Sequence, residues 1–169
     1  VLHVLLTGED SGYYQDYVDQ PAWKLARCLA EGFIYQGEHT HYTGEARGMP
    51  SAHLPPTAFV LFLQNHDQIG NRAFGERLTT LTDPAALEAA VALQIFCPQI
   101  PLLFMGEETA SRAPFLFCTD HGAELADAVR DGRRNEFAKF PAFADPANRA
   151  RIPDPNAPDT FAASVPSAD

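Results

Sequence analysis

No run of about 18 consecutive apolar residues occurs in this chain, so the sequence predicts no membrane-spanning helix. Positive charge is also scarce. Lys and Arg number 12 against 22 Asp and Glu, a formal net charge of -10. Such a chain repels phosphate backbones, which argues against nucleic acid as a partner and leaves neutral or cationic ligands open. Cysteine is sparse as well: Cys28, Cys97 and Cys118 are far apart and odd in number, which suits neither a paired metal-ligand spacing nor a disulfide framework. They read as buried thiols in a reducing cytoplasm. The apolar start, Val1 to Leu6, has no Lys or Arg before it and no small-residue cleavage site, so it does not read as a signal peptide. It reads as part of a buried element, and with no initial Met the start reads as a cut in a longer sequence. There is no internal repeat and no low-complexity run.

What is present is enough for a core. The chain has 169 residues, 46% of them hydrophobic, so one ordinary domain is expected and disorder throughout is not. Pro21 to Glu31 reads as a helix, with Pro21 in its first turn, Gly32 just past its end and Leu25 and Leu29 on one face. Residues 36–57 are punctuated by Gly and Pro and read as a long loop. Residues 58–63 form a continuous apolar run without alternation, read as a strand covered on both faces. Asp83 and Pro84 then open a second helix, as N-cap and first helical residue, with Leu87, Val91 and Ile95 as its apolar face and Pro98 as its stop. Residues 100–105 read as a second apolar strand. Strand, polar loop, helix, strand is a βαβ unit, which predicts parallel strands and an α/β fold. Residues 123–140 suggest a further helix, and from Pro141 onward six prolines in 29 residues predict an irregular segment.

The two strands end in acids, Asp67 after the first and Glu107 and Glu108 after the second. In parallel α/β sheets ligands sit at the C-terminal ends of strands. Asn65, His66 and Asp67 place an amide, an imidazole and a carboxylate where they could bond adjacent sugar hydroxyls, and a carboxylate there could stabilise an oxocarbenium-like transition state. The same three residues could equally cap a turn around a core histidine. Adjacent Glu107 and Glu108 should diverge, with at least one of them structural. His39 and His41 lack a third metal ligand and read as a surface loop. Tyr13, Tyr14 and Tyr17 could stack on sugars or simply pack. Arg130, Arg133 and Arg134 read as a solvated helix face.

The stretch from Phe62 to Arg72 (Phe62, Leu63, Gln64, Asn65, His66, Asp67, Gln68, Ile69, Gly70, Asn71, Arg72) resembles the Asn-His-Asp region of the α-amylase superfamily, glycoside hydrolase family 13. The extension from Gln68 to Arg72 is similar to its maltooligosyltrehalose trehalohydrolase branch. So are Leu6 to Tyr14, Pro101 to Phe115, Asp120 to Phe137 and Pro153 to Phe161, in the same order along nearly the whole chain.

The resemblance implies a partial (β/α)8 TIM barrel, with the two strands as its seventh and eighth. Residues 1–140 would be the C-terminal portion of the catalytic barrel, and 141–169 would lead to a further domain. It implies a retaining, cytoplasmic glycosidase that cleaves the α-1,4 bond next to the terminal trehalose of maltooligosyltrehalose, with no cofactor and no metal. Asp67 would be the transition-state stabiliser. His66, Asn65, Gln68, Arg72, Glu107 and Glu108 would bind the glucan. The Asp nucleophile and Glu acid/base, after the fourth and fifth strands, would lie before Val1, so these 169 residues alone would be inactive. Another superfamily enzyme (a branching enzyme or trehalose synthase) and a non-catalytic glucan-binding barrel are the alternatives. The partner of this chain would then be the remainder of its own barrel. An opened barrel leaves bare strand edges and apolar surface. Expressed alone, residues 1–169 are therefore expected to be poorly soluble; a monomer by light scattering with one cooperative calorimetric transition would contradict this.

Overall fold

The computed structural model describes residues 1–166. In chain order its helices and strands are α1 (Leu2–Thr7), α2 (Pro21–Glu31), β1 (Val60–Leu61), α3 (His66–Gly70), α4 (Leu78–Leu81), α5 (Pro84–Phe96), β2 (Ile100–Pro101), α6 (Ala123–Glu136), α7 (Pro146–Ala150) and α8 (Pro158–Ala163). They fall into two compact units. One holds Val1–Leu63 and Leu81–Leu103, the other Gln64–Thr80 and the chain from Phe104 onward.

In the first unit the punctuation behaves as expected. Pro21 sits in the first turn of α2, and Gly32 follows its end at φ 95°, where its N–H meets the Cys28 carbonyl. Asp83 caps α5 by accepting hydrogen bonds from the N–H groups of Ala85 (2.9 Å) and Ala86 (3.2 Å). The two strands are parallel, with Val60 opposite Ile100 and Leu61 opposite Pro101. The connecting chain between them carries α3, α4 and α5, so the βαβ reading holds.

The strands differ from expectation in length and in cover. Only two residues of each apolar run enter the ladder, and each strand has one hydrogen-bonded neighbour among the described residues. Phe59 and Leu63 are buried, but Val60, Ile100, Leu102 and Leu103 are exposed, so the expectation of two covered faces is not met. Helix α5 departs similarly. Its buried face is Ala90 and Gln94, while Ile95 is exposed and Phe96 is 87% exposed. Gln94 explains the choice. Its Nε2 donates to the carbonyls of Leu102 (2.7 Å) and Leu61 (3.2 Å), so one amide ties both strands together where they leave the ladder. The apolar start of the chain is the one-and-a-half-turn helix α1, with His3 and Val4 buried and Leu5 exposed. Tyr14 stacks on His3 with ring centroids 4.4 Å apart, so it packs within the protein.

In the second unit, α6 runs through Gly132 as expected and continues into a 3₁₀ turn, Phe137–Lys139. The segment from Pro141 is not irregular. It holds a 3₁₀ turn (Pro141–Phe143), α7 and α8, each started by a proline in its first turn, where the missing N–H costs nothing. Ser167, Ala168 and Asp169 lie outside the described residues. Ala73, Phe137 and Ile152 form a buried cluster with Phe74, Phe140 and Phe143 against it. The cysteines are unpaired. Cys28 and Cys97 are half-buried and Cys118 is exposed, which corrects the expectation of three buried thiols. Cys118 is exposed because it sits in coil, between α5 and α6, outside the packed elements.

Asp83→Ala removes both cap bonds and should lower stability by about 1 kcal/mol. Urea denaturation of the full-length protein measures it, and an unchanged midpoint would mean that the cap contributes nothing.

Candidate functional site

Asn65, His66 and Asp67 open α3, directly after the apolar run that contains β1. Asn65 is extended (φ -145°) and its side chain accepts the Gln68 N–H at 3.0 Å, an N-cap bond. With Asn65 bound to its own helix, the next two side chains turn outward. His66 and Asp67 are 69% and 74% exposed at their side chains, and His66 Nε2 lies 3.4 Å from Asp67 Oδ1. The imidazole is thus not a core residue. The carboxylate side chain is largely exposed, so a hydroxyl-bearing ligand can reach it. Two concavities in this unit, of about 430 and 340 Å³, are lined by other residues, around Asn156 and around Arg134. Neither is lined by Asp67 or His66.

The remaining expected residues are engaged in the protein. Gln68 donates its backbone N–H to Asn65, and its side-chain Oε1 is buried with no hydrogen-bond partner among the described residues. Arg72 pairs with Glu76, Nε to Oε2 at 3.2 Å. Glu107 Oε2 accepts the Phe104 N–H at 2.6 Å, and Glu108 Oε2 accepts the Gly106 N–H at 2.8 Å. Both glutamates therefore brace the turn they occupy. Burial pushes the Glu107 carboxyl above the usual range, opposed by hydrogen bonds from Phe104 and the Gln64 side chain and by the Arg77 charge. Among the described residues, no group of three or more His, Cys, Asp or Glu side chains is placed to hold a metal.

Three residues that matter here escape the sequence reading. Gln64 is buried, and its Oε1 accepts the Leu78 N–H at 3.1 Å. Arg77, only 1% exposed, donates to the carbonyls of Ala113 (2.6 Å) and Met105 (2.8 Å) and lies over the Phe104 ring. Arg133 corrects the expectation of a solvated arginine face. Arg130 does pair with Asp127 and Asp131, but Arg133 is buried, its Nη2 donating to the carbonyls of Gly70 (2.8 Å) and Arg72 (2.9 Å), with its guanidinium over the rings of Phe117 and Phe137. Its neighbour Arg134 reaches the Ile152 carbonyl. A signal existed: Arg133 lies four residues before Phe137, on one helical face. Close approach is enforced beyond α3 too. Gly75 has φ 60°, and a Cβ there would stand 2.4 Å from the Phe115 carbonyl oxygen.

The geometry is that of a strand-end carboxylate beside an imidazole, and the comparisons give it a class. A 1.4 Å crystal structure of a Salmonella typhimurium protein assigned provisionally as an alpha amylase matches 98% of this chain at 51% identity and a TM-score of 0.90, over 27% of its own length. The chain therefore has the fold of a stretch of an α-amylase-like protein. Closer definition comes from malto-oligosyltrehalose trehalohydrolases: that of Deinococcus radiodurans is 42% identical over 160 residues, and that of Saccharolobus solfataricus 39% over 136. The Mycobacterium tuberculosis protein of that name is 34% identical over 163 residues. These alignments cover 94%, 80% and 95% of this chain, which spans about a quarter of the length of each relative. The resemblance to the malto-oligosyltrehalose trehalohydrolase family, read first from the motifs, is thereby shown. No family model matches the chain.

Arg133→Met keeps much of the volume but leaves two carbonyls without their donor. It should destabilise the full-length protein by about 2 kcal/mol or more in urea unfolding. A change below about 0.5 kcal/mol would mean that solvent replaces the guanidinium at no cost.

Proposed function

We propose that the full-length protein is a retaining glycosidase that hydrolyses the α-1,4 bond next to the terminal trehalose of a maltooligosyltrehalose and releases trehalose. The observation that carries the reading is Asp67. In a chain related throughout to trehalohydrolases, it stands open to solvent at the first turn of α3 with His66 beside it. Asp67 bonds hydroxyls of the sugar at the cleaved bond and offsets the positive charge that grows on its anomeric carbon. His66 orients the same ring. Asn65 shapes the turn, and Gln68 and Arg72 continue the glucan-facing segment. Glu107 and Glu108 frame it from the turn after β2. The mechanism needs an Asp nucleophile and a Glu acid/base after the fourth and fifth barrel strands, and neither cofactor nor metal.

On this reading β1 and β2 are the seventh and eighth strands of a (β/α)8 barrel. Residues 1–140 belong to that barrel, and 141–169 lead towards a further domain. The exposed apolar side chains of Val60, Ile95, Phe96, Ile100, Leu102 and Leu103 support it, since so much open apolar surface calls for cover by other chain. The net charge of -10 suits a neutral glucan in the cytoplasm rather than nucleic acid. No described helix is long and apolar enough to cross a membrane.

Asp67→Ala in the full-length enzyme should lower turnover on maltooligosyltrehalose by about 10²- to 10³-fold or more, with the circular-dichroism spectrum unchanged. Chromatography of the products reads both arms. Near-normal trehalose release by the variant, or rearranged glucan from the unaltered enzyme, would defeat the assignment. Rearranged glucan would indicate a branching enzyme or trehalose synthase.

A further inference from the structure

We propose that Arg77 is a positioning residue: it latches the turn after β2, which carries Glu107 and Glu108, onto the chain that follows α3, and so holds that turn where a glucan meets it. Its effect on binding rests on the functional reading above; its geometry does not. Three contacts pair the two segments. The Phe115 N–H donates to the Gly75 carbonyl at 2.9 Å, Arg77 Nε to the Ala113 carbonyl at 2.6 Å, and Thr79 Oγ1 to the Ser111 carbonyl at 2.8 Å. Each step of two residues forward along one segment is a step of two back along the other, which is the register of an antiparallel pair. The side chains of Arg77 and Thr79 stand in for backbone donors at the second and third positions. Arg112 Nη1 returns to the Thr79 carbonyl at 3.2 Å.

Arg77 does more than close one rung. Its Nη1 donates to the Met105 carbonyl at 2.8 Å, so one guanidinium holds the chain on both sides of the turn at residues 106–111. That turn needs outside support. Ala110 lies at φ 51°, in the left-handed region that a residue with a Cβ adopts only where its surroundings impose it. Arg77 is 1% exposed, so water does not take over its bonds. Lysine is a point charge without the rigid fork of donors, and it cannot serve two carbonyls in the same way. Both of these donors of Arg77 meet protein carbonyls, which separates its role from direct binding. Asp67 has its own anchors in the Asn65 cap and Arg133, so loss of Arg77 should disturb glucan binding more than the chemical step.

The test uses the full-length protein with Arg77→Lys and Thr79→Val, assayed on maltooligosyltrehalose and by hydrogen exchange. Arg77→Lys should raise KM about tenfold with kcat changed less than about threefold, as for lost binding that substrate and transition state share. Exchange should quicken about tenfold or more at the Phe115 amide and at the Ser111 amide, which closes the turn on the Gly106 carbonyl. The Gln68 amide, bonded to Asn65, should change less than about twofold. Thr79→Val removes one rung and leaves the guanidinium; it should quicken the same two amides about threefold or more and raise KM in the same direction. An unchanged KM, unaltered exchange, or an equal rise in exchange at all three amides would overturn the proposal. Should Arg77→Lys fail to fold, Thr79→Val supplies the same kinetic and exchange readouts. If the unaltered protein releases no trehalose, the functional reading falls and the exchange rates alone decide the latch.

Discussion

The guanidinium of Arg133 closes on the carbonyl oxygens of Gly70 and Arg72 from inside the protein, against the rings of Phe117 and Phe137. Those carbonyls lie at and just past the end of a five-residue helix, too short to be stable by its own hydrogen bonds. The position of Asp67 therefore depends on anchors outside its own helix: Arg133 at the far end, the Asn65 cap at the near end and the buried Gln64 amide before that. Burying a guanidinium is costly unless its donors are met, and Arg133 meets the cost with two carbonyls and Glu136. Its burial is the dominant cause of the lowered pKa of its guanidinium.

The carboxylates divide by exposure. Asp67 is left open to solvent, whereas Glu107 and Glu108 each accept a backbone N–H. Acids at two parallel strand ends can therefore serve different ends. One is free to meet a ligand, and the others stiffen the loop beside it.

Much of this was legible beforehand, for identifiable reasons. Asp83 with Pro84, and Pro21 with Gly32, mark helix limits because backbone chemistry at those positions is local. Parallel pairing followed from the length of the crossover between two apolar runs. The rest depended on tertiary partners. The open faces of Val60 and Ile100 cannot be read from an apolar run, which looks the same covered or bare. Ile95 shares a helical row with Leu87 and Val91, but α5 turns Gln94 inward because two strand carbonyls need a donor. Arg133 and Arg134 are adjacent and identical, and both lie within one helical turn of Phe137, so spacing alone does not single out Arg133 as the buried one. Asn65 illustrates a reading left open that the structure narrows: it does cap a turn, and by capping it leaves His66 and Asp67 facing outward.

The most direct measurement is a crystal structure of the full-length protein bound to a non-hydrolysable maltooligosaccharide ending in trehalose. Both Asp67 carboxylate oxygens should lie within hydrogen-bond distance of adjacent hydroxyls on the ring at the uncleaved bond, with His66 on the same ring and α3 unmoved. A sugar bound elsewhere, with Asp67 still facing only water, would contradict it.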